Sequence, residues 1–449
     1  MKRNLFLMLG VTALTLVVAL GLIRTLAPGL LGGPTDLQLV QLDERVPPFF
    51  AGVFREEHTS SREFLLKDPL TRVRARPFLQ SIPGAGPHDV LGFRNAAVPV
   101  AADIVTIGDS MTYGNNAVME ENWPAWMLAA LQREDMKVYN MSTGGWAAVQ
   151  YLDMLDHAAS FRPYLVVVAF YTGNDPLESL QMVNGNENWH WLKERAGIAD
   201  GVTMKGLPAF SLDIPPEEQW PVTFGDGVAT VFTPQLRLIS NTGHPGVDAG
   251  YALMATAGRL LADKAKQLGV QLMFTIIPTK ELVYADKVSA EGLDAPEPYR
   301  ALVSAEAGRV EALAVQLQAI EGTQYVDVVK SLQQAALGNT ALYPNDTNGH
   351  PLAAGYRVIG ESIAVAVAGL VPVPASGLYA YASDNEIFLV LVNDEGLWYF
   401  QSEAVIEENG WPAGEVPMIT SRQLLGLPFK GVIERADPER FGPACCQPR

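Results

Sequence analysis

Residues 164–170, YLVVVAF, form an unbroken run of apolar and mostly β-branched side chains. A segment with no polar face predicts a strand covered on both sides, as in a parallel sheet with helices packed on each face. The surrounding chain agrees. Short apolar runs at 103–108 (DIVTIG), 137–140, 271–277 and 325–329 alternate with helical patterns over 120–133, 146–161, 247–268, 298–320 and 352–370. Strands alternating with helices imply right-handed crossovers and a three-layer α/β sandwich. Such sheets bind ligands beyond the carboxyl ends of their strands.

The two ends of the chain have a different character. Met1-Lys2-Arg3 precedes an apolar run from 5 to 23, which as a helix spans roughly 28 Å, about the hydrocarbon thickness of a bilayer. Arg24 follows directly and no clean Ala-x-Ala cleavage site appears, so 1–24 reads as an uncleaved signal anchor. Lys2 and Arg3 would keep the N-terminus cytoplasmic and place the remainder on the periplasmic or extracellular face. A cleaved signal, leaving a secreted protein, or a buried core helix are the other readings. Residues 25–95 read as a linker and N-terminal extension, 96–372 as the α/β domain, and 176–246 as an insertion or lid within it. From 373 to 449, LYAYAS, IFLVLVN and LWYF are separated by turn residues and predict a small antiparallel meander in a β-rich module.

Composition narrows the function. A net charge of −17 opposes the phosphate neutralisation on which nucleic-acid affinity rests, and equally a basic docking face for anionic lipid. The two cysteines, Cys445 and Cys446, are adjacent and supply neither a disulfide framework nor zinc-ligand spacing. No G-x-x-x-x-G-K-[ST], H-E-x-x-H or G-x-S-x-G occurs, so P-loop, zincin and nucleophile-elbow chemistries lack their motifs. No metal or other cofactor is expected.

The residues that carry chemistry end the predicted strands. Gly108-Asp109-Ser110 closes the first, which exposes the Ser110 hydroxyl at the sheet edge. Serine needs a base, and His350 is the one histidine of six in a loop after the last predicted strand, with Pro351 expected to open the next helix. Gly144 and Gly145 end the second strand and permit close backbone approach, and Asn174 ends the third with an amide. Each is also compatible with an ordinary turn. Together they supply a nucleophile, oxyanion donors and a base, as acyl transfer requires. Asp109 reads as structural. Lys280, Glu281 and Tyr284 follow the fourth strand, where they are either substrate contacts or a surface loop. Trp189-His190-Trp191 is either a sugar-stacking platform or packing within the insertion.

Residues 103–116, 138–150, 166–178 and 340–362 resemble, in order, the four sequence blocks of the SGNH (GDSL) hydrolase superfamily, most clearly in DIVTIGDSMTYG. The resemblance implies a flavodoxin-like sheet, Ser110 as nucleophile and His350 as base. It implies an oxyanion hole from the N–H groups of Ser110 and Gly145 and the Asn174 amide. GFRN at 92–95 and PTKELVY at 278–284 resemble a membrane-anchored bacterial branch, some of whose relatives O-acetylate envelope polysaccharides. One departure concerns the acid that orients the histidine. Three residues before His350 stands Thr347, so Asp346, four before, is the expected third member, with a Ser–His dyad as the alternative.

The reading is an extracytoplasmic serine esterase acting on an O-acyl group of a carbohydrate or lipid through an acyl-serine intermediate. A polysaccharide O-acetyltransferase using the same site is the second reading. A non-catalytic carbohydrate-binding or assembly protein of the envelope is the third. The partner implied is a small-molecule or polysaccharide ester, with the membrane reached only through the N-terminal helix.

Overall fold

A computed structural model describes residues 60–446, apart from 63–64, 81–84, 134–135, 212, 371–373, 384–385, 412–415, 420 and 425–426. The expected anchor at 1–24 lies outside the described residues. Among the described residues, no helix is long and apolar enough to cross a membrane.

Five strands form one wholly parallel sheet: β1 (Ile104–Gly108), β2 (Val138–Ser142), β3 (Leu165–Tyr171), β4 (Gln271–Ile277) and β5 (Thr323–Val326). Their order is β5-β4-β3-β1-β2. The β3 run behaves as its composition requires. Val166, Val168 and Phe170 enter one core, while Leu165, Val167, Ala169 and Tyr171 enter the other. Each full burial of such a side chain contributes about 1.5–3 kcal/mol, so a polar substitution anywhere on β3 is costly.

Helices cover both faces: α1 (Trp123–Leu131), α2 (Ala148–Ala159), α3 (Asp175–Gly185), α4 (Pro245–Leu268), α5 (Glu297–Gln318), α6 (Val328–Ala336) and α7 (Ala353–Ala368). Tyr151 and Leu155 of α2 and Leu253 and Ala257 of α4 fill the first core. Trp123 and Met127 of α1 and Ile359 and Ile363 of α7 fill the second. From β1 the chain steps out to β2, then crosses back to place β3 on the other side of β1. That reversal opens a crevice at the carboxyl ends of β1 and β3.

Several boundaries differ from expectation, each for a local reason. The strand expected to reach 329 stops at Val326, because the Asp327 side chain accepts from the N–H groups of Val329 and Lys330 at 3.1 and 3.3 Å and starts α6. The helix expected from 120 begins at Trp123, where Asn122 caps through the Ala125 N–H at 2.9 Å. The helix expected to open at Pro351 begins at Ala353, with Leu352 at its N-cap.

Residues 60–95 pack as part of the domain. The strands Ser60–Arg62, Leu65–Asp68 and Arg72–Ala75 form an antiparallel ribbon. Leu65, Val73, Val90, Leu91 and Phe93 join the first core, and the Trp146 indole donates to the Val73 carbonyl at 2.7 Å. The 92–95 segment is internal scaffolding: buried Arg94 donates to the carbonyls of Gly86, Gly114 and Ala117. The insertion contains α3 and a hairpin, Trp220–Thr223 with Ala229–Phe232. Phe232 packs against Tyr284 and Tyr299, so this stretch is partly core. Beyond 373, Gly377–Ser383, Glu386–Asn393 and Gly396–Phe400 form the antiparallel meander. Met418–Ile419 and Phe429–Ile433 extend it by parallel pairing at its two edges.

Candidate active site

Ser110 follows β1 in a tight strand-to-helix turn. The Asp109 side chain accepts from the Met111 N–H at 2.8 Å and starts the short helical turn Ser110–Tyr113, which Gly114 ends in the left-handed region. A side chain at Gly108 would lie 2.0 Å from Thr112 Oγ1, which is why the turn requires glycine there. Ser110 is 8% exposed and opens onto a cleft of about 1190 Å³. Gly144, Gly145, Asn174 and His350 line the same cleft. Four distant stretches thus meet at one rim.

The Ser110 hydroxyl lies 2.8 Å from His350 Nε2. His350 Nδ1 lies 2.8 Å from Asn348 Oδ1, which also accepts from the His350 backbone N–H at 3.0 Å. The second bond decides the proton positions. A backbone N–H only donates, so the shared atom is the amide oxygen, and Nδ1 must donate to it as well. Nε2 is left unprotonated and accepts from the Ser110 hydroxyl, the tautomer a general base needs.

The orienting role expected of Asp346 therefore falls to Asn348. Asp346 is exposed, and its carboxylate accepts from the Asn348 N–H at 2.8 Å, closing a local turn. Asn348 was missed because only carboxylates were weighed for that position, although an amide oxygen can also accept the Nδ1–H hydrogen bond.

Lys280 and Tyr284 are not cleft residues. Lys280 is fully buried and donates to the backbone carbonyls of Asp346 and Asn348 at 2.8 and 3.0 Å. It holds the loop that carries His350, and burial pulls its amine down to about 8. The Tyr284 hydroxyl accepts from the Leu342 N–H at 3.1 Å, and its ring stacks on Phe224 in the second core. Trp189 is 7% exposed and donates to the Leu70 carbonyl at 2.9 Å. It packs the insertion onto the ribbon rather than lining the cleft. For Tyr284 and Trp189, apolar surface is better satisfied by the core than by a ligand.

Electrostatics around the pair are unusual. Burial, then the charges of Arg237 and Lys280, push His350 down to about 3, so the imidazole is neutral at any ordinary pH. Behind Ser110, burial pushes Asp109 up to about 7 and Asp175 well above the carboxylate range, the latter also through repulsion by Asp109. Asp109 Oδ2 lies 3.4 Å from the Ser110 hydroxyl, and Asp175 accepts from the Tyr151 hydroxyl and the Tyr171 N–H at 3.1 and 3.0 Å. Gly145 takes a positive φ of 82°, and its carbonyl accepts from Arg72 at 3.0 Å, which fixes this glycine turn beside Ser110. The Asn174 side-chain oxygen is buried without a hydrogen-bond partner, and the residue lines the cleft beside Ser110.

No protein-family model and no curated protein matches the sequence. Among solved structures, the chain is similar to a putative lipolytic protein of the G-D-S-L family from Desulfitobacterium hafniense DCB-2, at 15% identity and a TM-score of 0.31 over 58% of this chain and 97% of that one. It is similar to TesA at 17% identity and a TM-score of 0.31, over 58% of this chain and 94% of that one. A third is Axe2, an acetylxylan esterase from Geobacillus stearothermophilus, at 13% identity and a TM-score of 0.32, over 59% of this chain and 94% of that one. Similarity this loose assigns no family.

Proposed function

We propose that this protein is a serine ester hydrolase of SGNH type. One observation carries the reading: a serine hydroxyl 2.8 Å from an imidazole nitrogen whose tautomer is set by Asn348 on the opposite side of the ring. His350 Nε2 takes the Ser110 proton as Oγ attacks the ester carbonyl. The tetrahedral oxyanion is held by the Ser110 and Gly145 N–H groups and the Asn174 amide. The C–O bond to the alcohol then breaks, and the alcohol leaves with the proton from His350. Water, deprotonated by His350, cleaves the acyl-serine and restores the hydroxyl.

A fluorophosphonate probe tests this directly, since it should attach to Ser110 in the folded protein and not in Ser110→Ala. Turnover of 4-nitrophenyl acetate by Ser110→Ala at the parent rate would refute the nucleophile. Asn174→Ala should keep the fold and lose about 10²–10³ in kcat, the usual cost of one oxyanion donor. The cleft volume favours an extended substrate, such as an O-acylated oligosaccharide, over a small ester alone. The same groups would serve an O-acetyltransferase, and acetylated product measured with and without an oligosaccharide acceptor separates the two. Failure of Ser110 to label in the folded protein would favour the non-catalytic reading. Tethering through 1–24 on the extracytoplasmic face is part of the proposal, and recovery of the native protein wholly in soluble cytoplasm would count against it.

A further inference from the structure

Three cations line the cleft, and they differ in how they are neutralised. Lys67 is exposed to water. Arg72 pairs with Glu178 at 2.5 Å and donates to Gln181 at 3.1 Å. Arg237, from the short helix Pro234–Leu238, is 6% exposed, its Nε is buried without a hydrogen-bond partner, and its guanidinium forms no ion pair among the described residues. Other buried arginines have partners: Arg74 pairs with Asp68 at 2.6 Å, and Arg94 donates to the carbonyls of Gly86, Tyr113, Gly114 and Ala117. A buried cation without a partner is costly, so its retention at a cleft points to a ligand that completes it.

The location of Arg237 indicates which part of the ligand it meets. The guanidinium lies against Gly349, where a side-chain carbon would come within 2.5 Å of Nη2 and 3.2 Å of Cζ. Gly349 immediately precedes His350, and the Arg237 charge is felt at the imidazole. Arg237 therefore lies on the His350 side of the cleft, and His350 is the group that would return its proton to the leaving alcohol. The whole chain, at −17, repels anions, so a local cation here selects against the overall field rather than with it.

We propose that Arg237 is the receptor for an anionic oxygen group, a carboxylate or a phosphate, on the alcohol portion of the substrate, which makes esters of acidic alcohols the preferred class. This rests on the serine-ester reading and extends it. The guanidinium fork offers two parallel N–H donors to such a group, while a neutral alcohol leaves them unpaired.

The test compares kcat/KM for three acetate esters of matched shape: 4-acetoxybenzoate, 4-acetoxyphenyl phosphate and the neutral 4-acetoxybenzamide. Wild-type protein should favour at least one anionic ester over the amide by about 10- to 100-fold, the range of a charge-assisted hydrogen bond, and the favoured anion identifies the source. In Arg237→Gln that ratio should collapse toward one, with Arg237→Lys between. Taking the ratio cancels any effect of the substitution on His350 itself. Equal turnover of all three by wild-type protein overturns the proposal even if Arg237→Gln fails to fold, and so does an anionic preference that survives in folded Arg237→Gln. If wild-type protein hydrolyses 4-nitrophenyl acetate but shows no preference for anions, only the role of Arg237 fails. If it hydrolyses none of these esters and Ser110 does not label, the serine-ester reading fails and this inference with it.

Discussion

Asn348 is a neutral orienter where a carboxylate would also stabilise the imidazolium formed during attack. Replacing it tests both functions. Asn348→Ala should lower kcat by about 10²-fold or more, because nothing then holds the Nδ1 proton. Asn348→Asp places a negative charge against Nδ1, which favours the protonated ring and raises the His350 pKa. The acid limb of kcat/KM should therefore move to higher pH in Asn348→Asp than in the parent, as read from pH–rate profiles of the two proteins. An unmoved or lowered limb would contradict the hydrogen bond to Asn348. The sequence shows Ser110 and His350 clearly, because a strand end and a loop before a helix are local patterns. Choosing between Asp346 and Asn348 depends on how one loop turns, and the Asp346 carboxylate is occupied by a backbone N–H that no spacing rule reveals.

The loop between α6 and α7 brings His350 to the sheet edge, and Lys280 supports it from beneath by donating to two of its carbonyls. Lys280→Met would leave both carbonyls without a donor, at about 1–3 kcal/mol for each buried group. Its expected signature is a fall in kcat with KM little changed, together with a lowered Tm. A variant equal to the parent in both would show that the loop holds itself. At this scale the sequence pattern was legible in type but less so in extent. Helical periodicity located the major helices of the α/β domain except α3, which fell in the stretch read as an insertion, and α6, which was read partly as strand because Val328 and Val329 continue an apolar run. The Asp327 cap overrides that run. Trp189 and Tyr284 each had a packing or surface reading beside a ligand-contact one, and both rings are buried in the core.

Over the whole molecule, buried ionisable groups set an acid-shifted stability profile. Burial raises Asp89, Asp109 and Glu306 to about 7 and Asp175 higher still. Between about pH 4 and 7 the folded chain holds these protons and the unfolded chain does not, so they destabilise the fold as pH rises through that window. His88 and His350 act the other way. Lowered to about 4 and about 3, they are neutral when folded but take protons when unfolded below about 6.5, which favours the fold as pH rises toward that value. Four carboxyls outweigh two imidazoles, and relief of the repulsion among surface carboxylates acts in the same direction. Thermal melts should accordingly show a higher Tm near pH 5 than near pH 7.5. The reverse order would mean that these carboxyls are ionised in the folded state.

By itself the sequence determined the layered parallel sheet, since a run such as YLVVVAF has no low-energy alternative to burial on both faces. It also determined which strand ends carry a hydroxyl, a glycine pair and an amide. Only the tertiary structure decided which groups complete the site: Asn348 rather than Asp346 against the imidazole, Lys280 beneath the loop, and Arg237 alone in the cleft wall. Apolar patterning is read residue by residue along one chain, whereas a hydrogen bond or an unpaired charge is a relation between segments that meet only after folding.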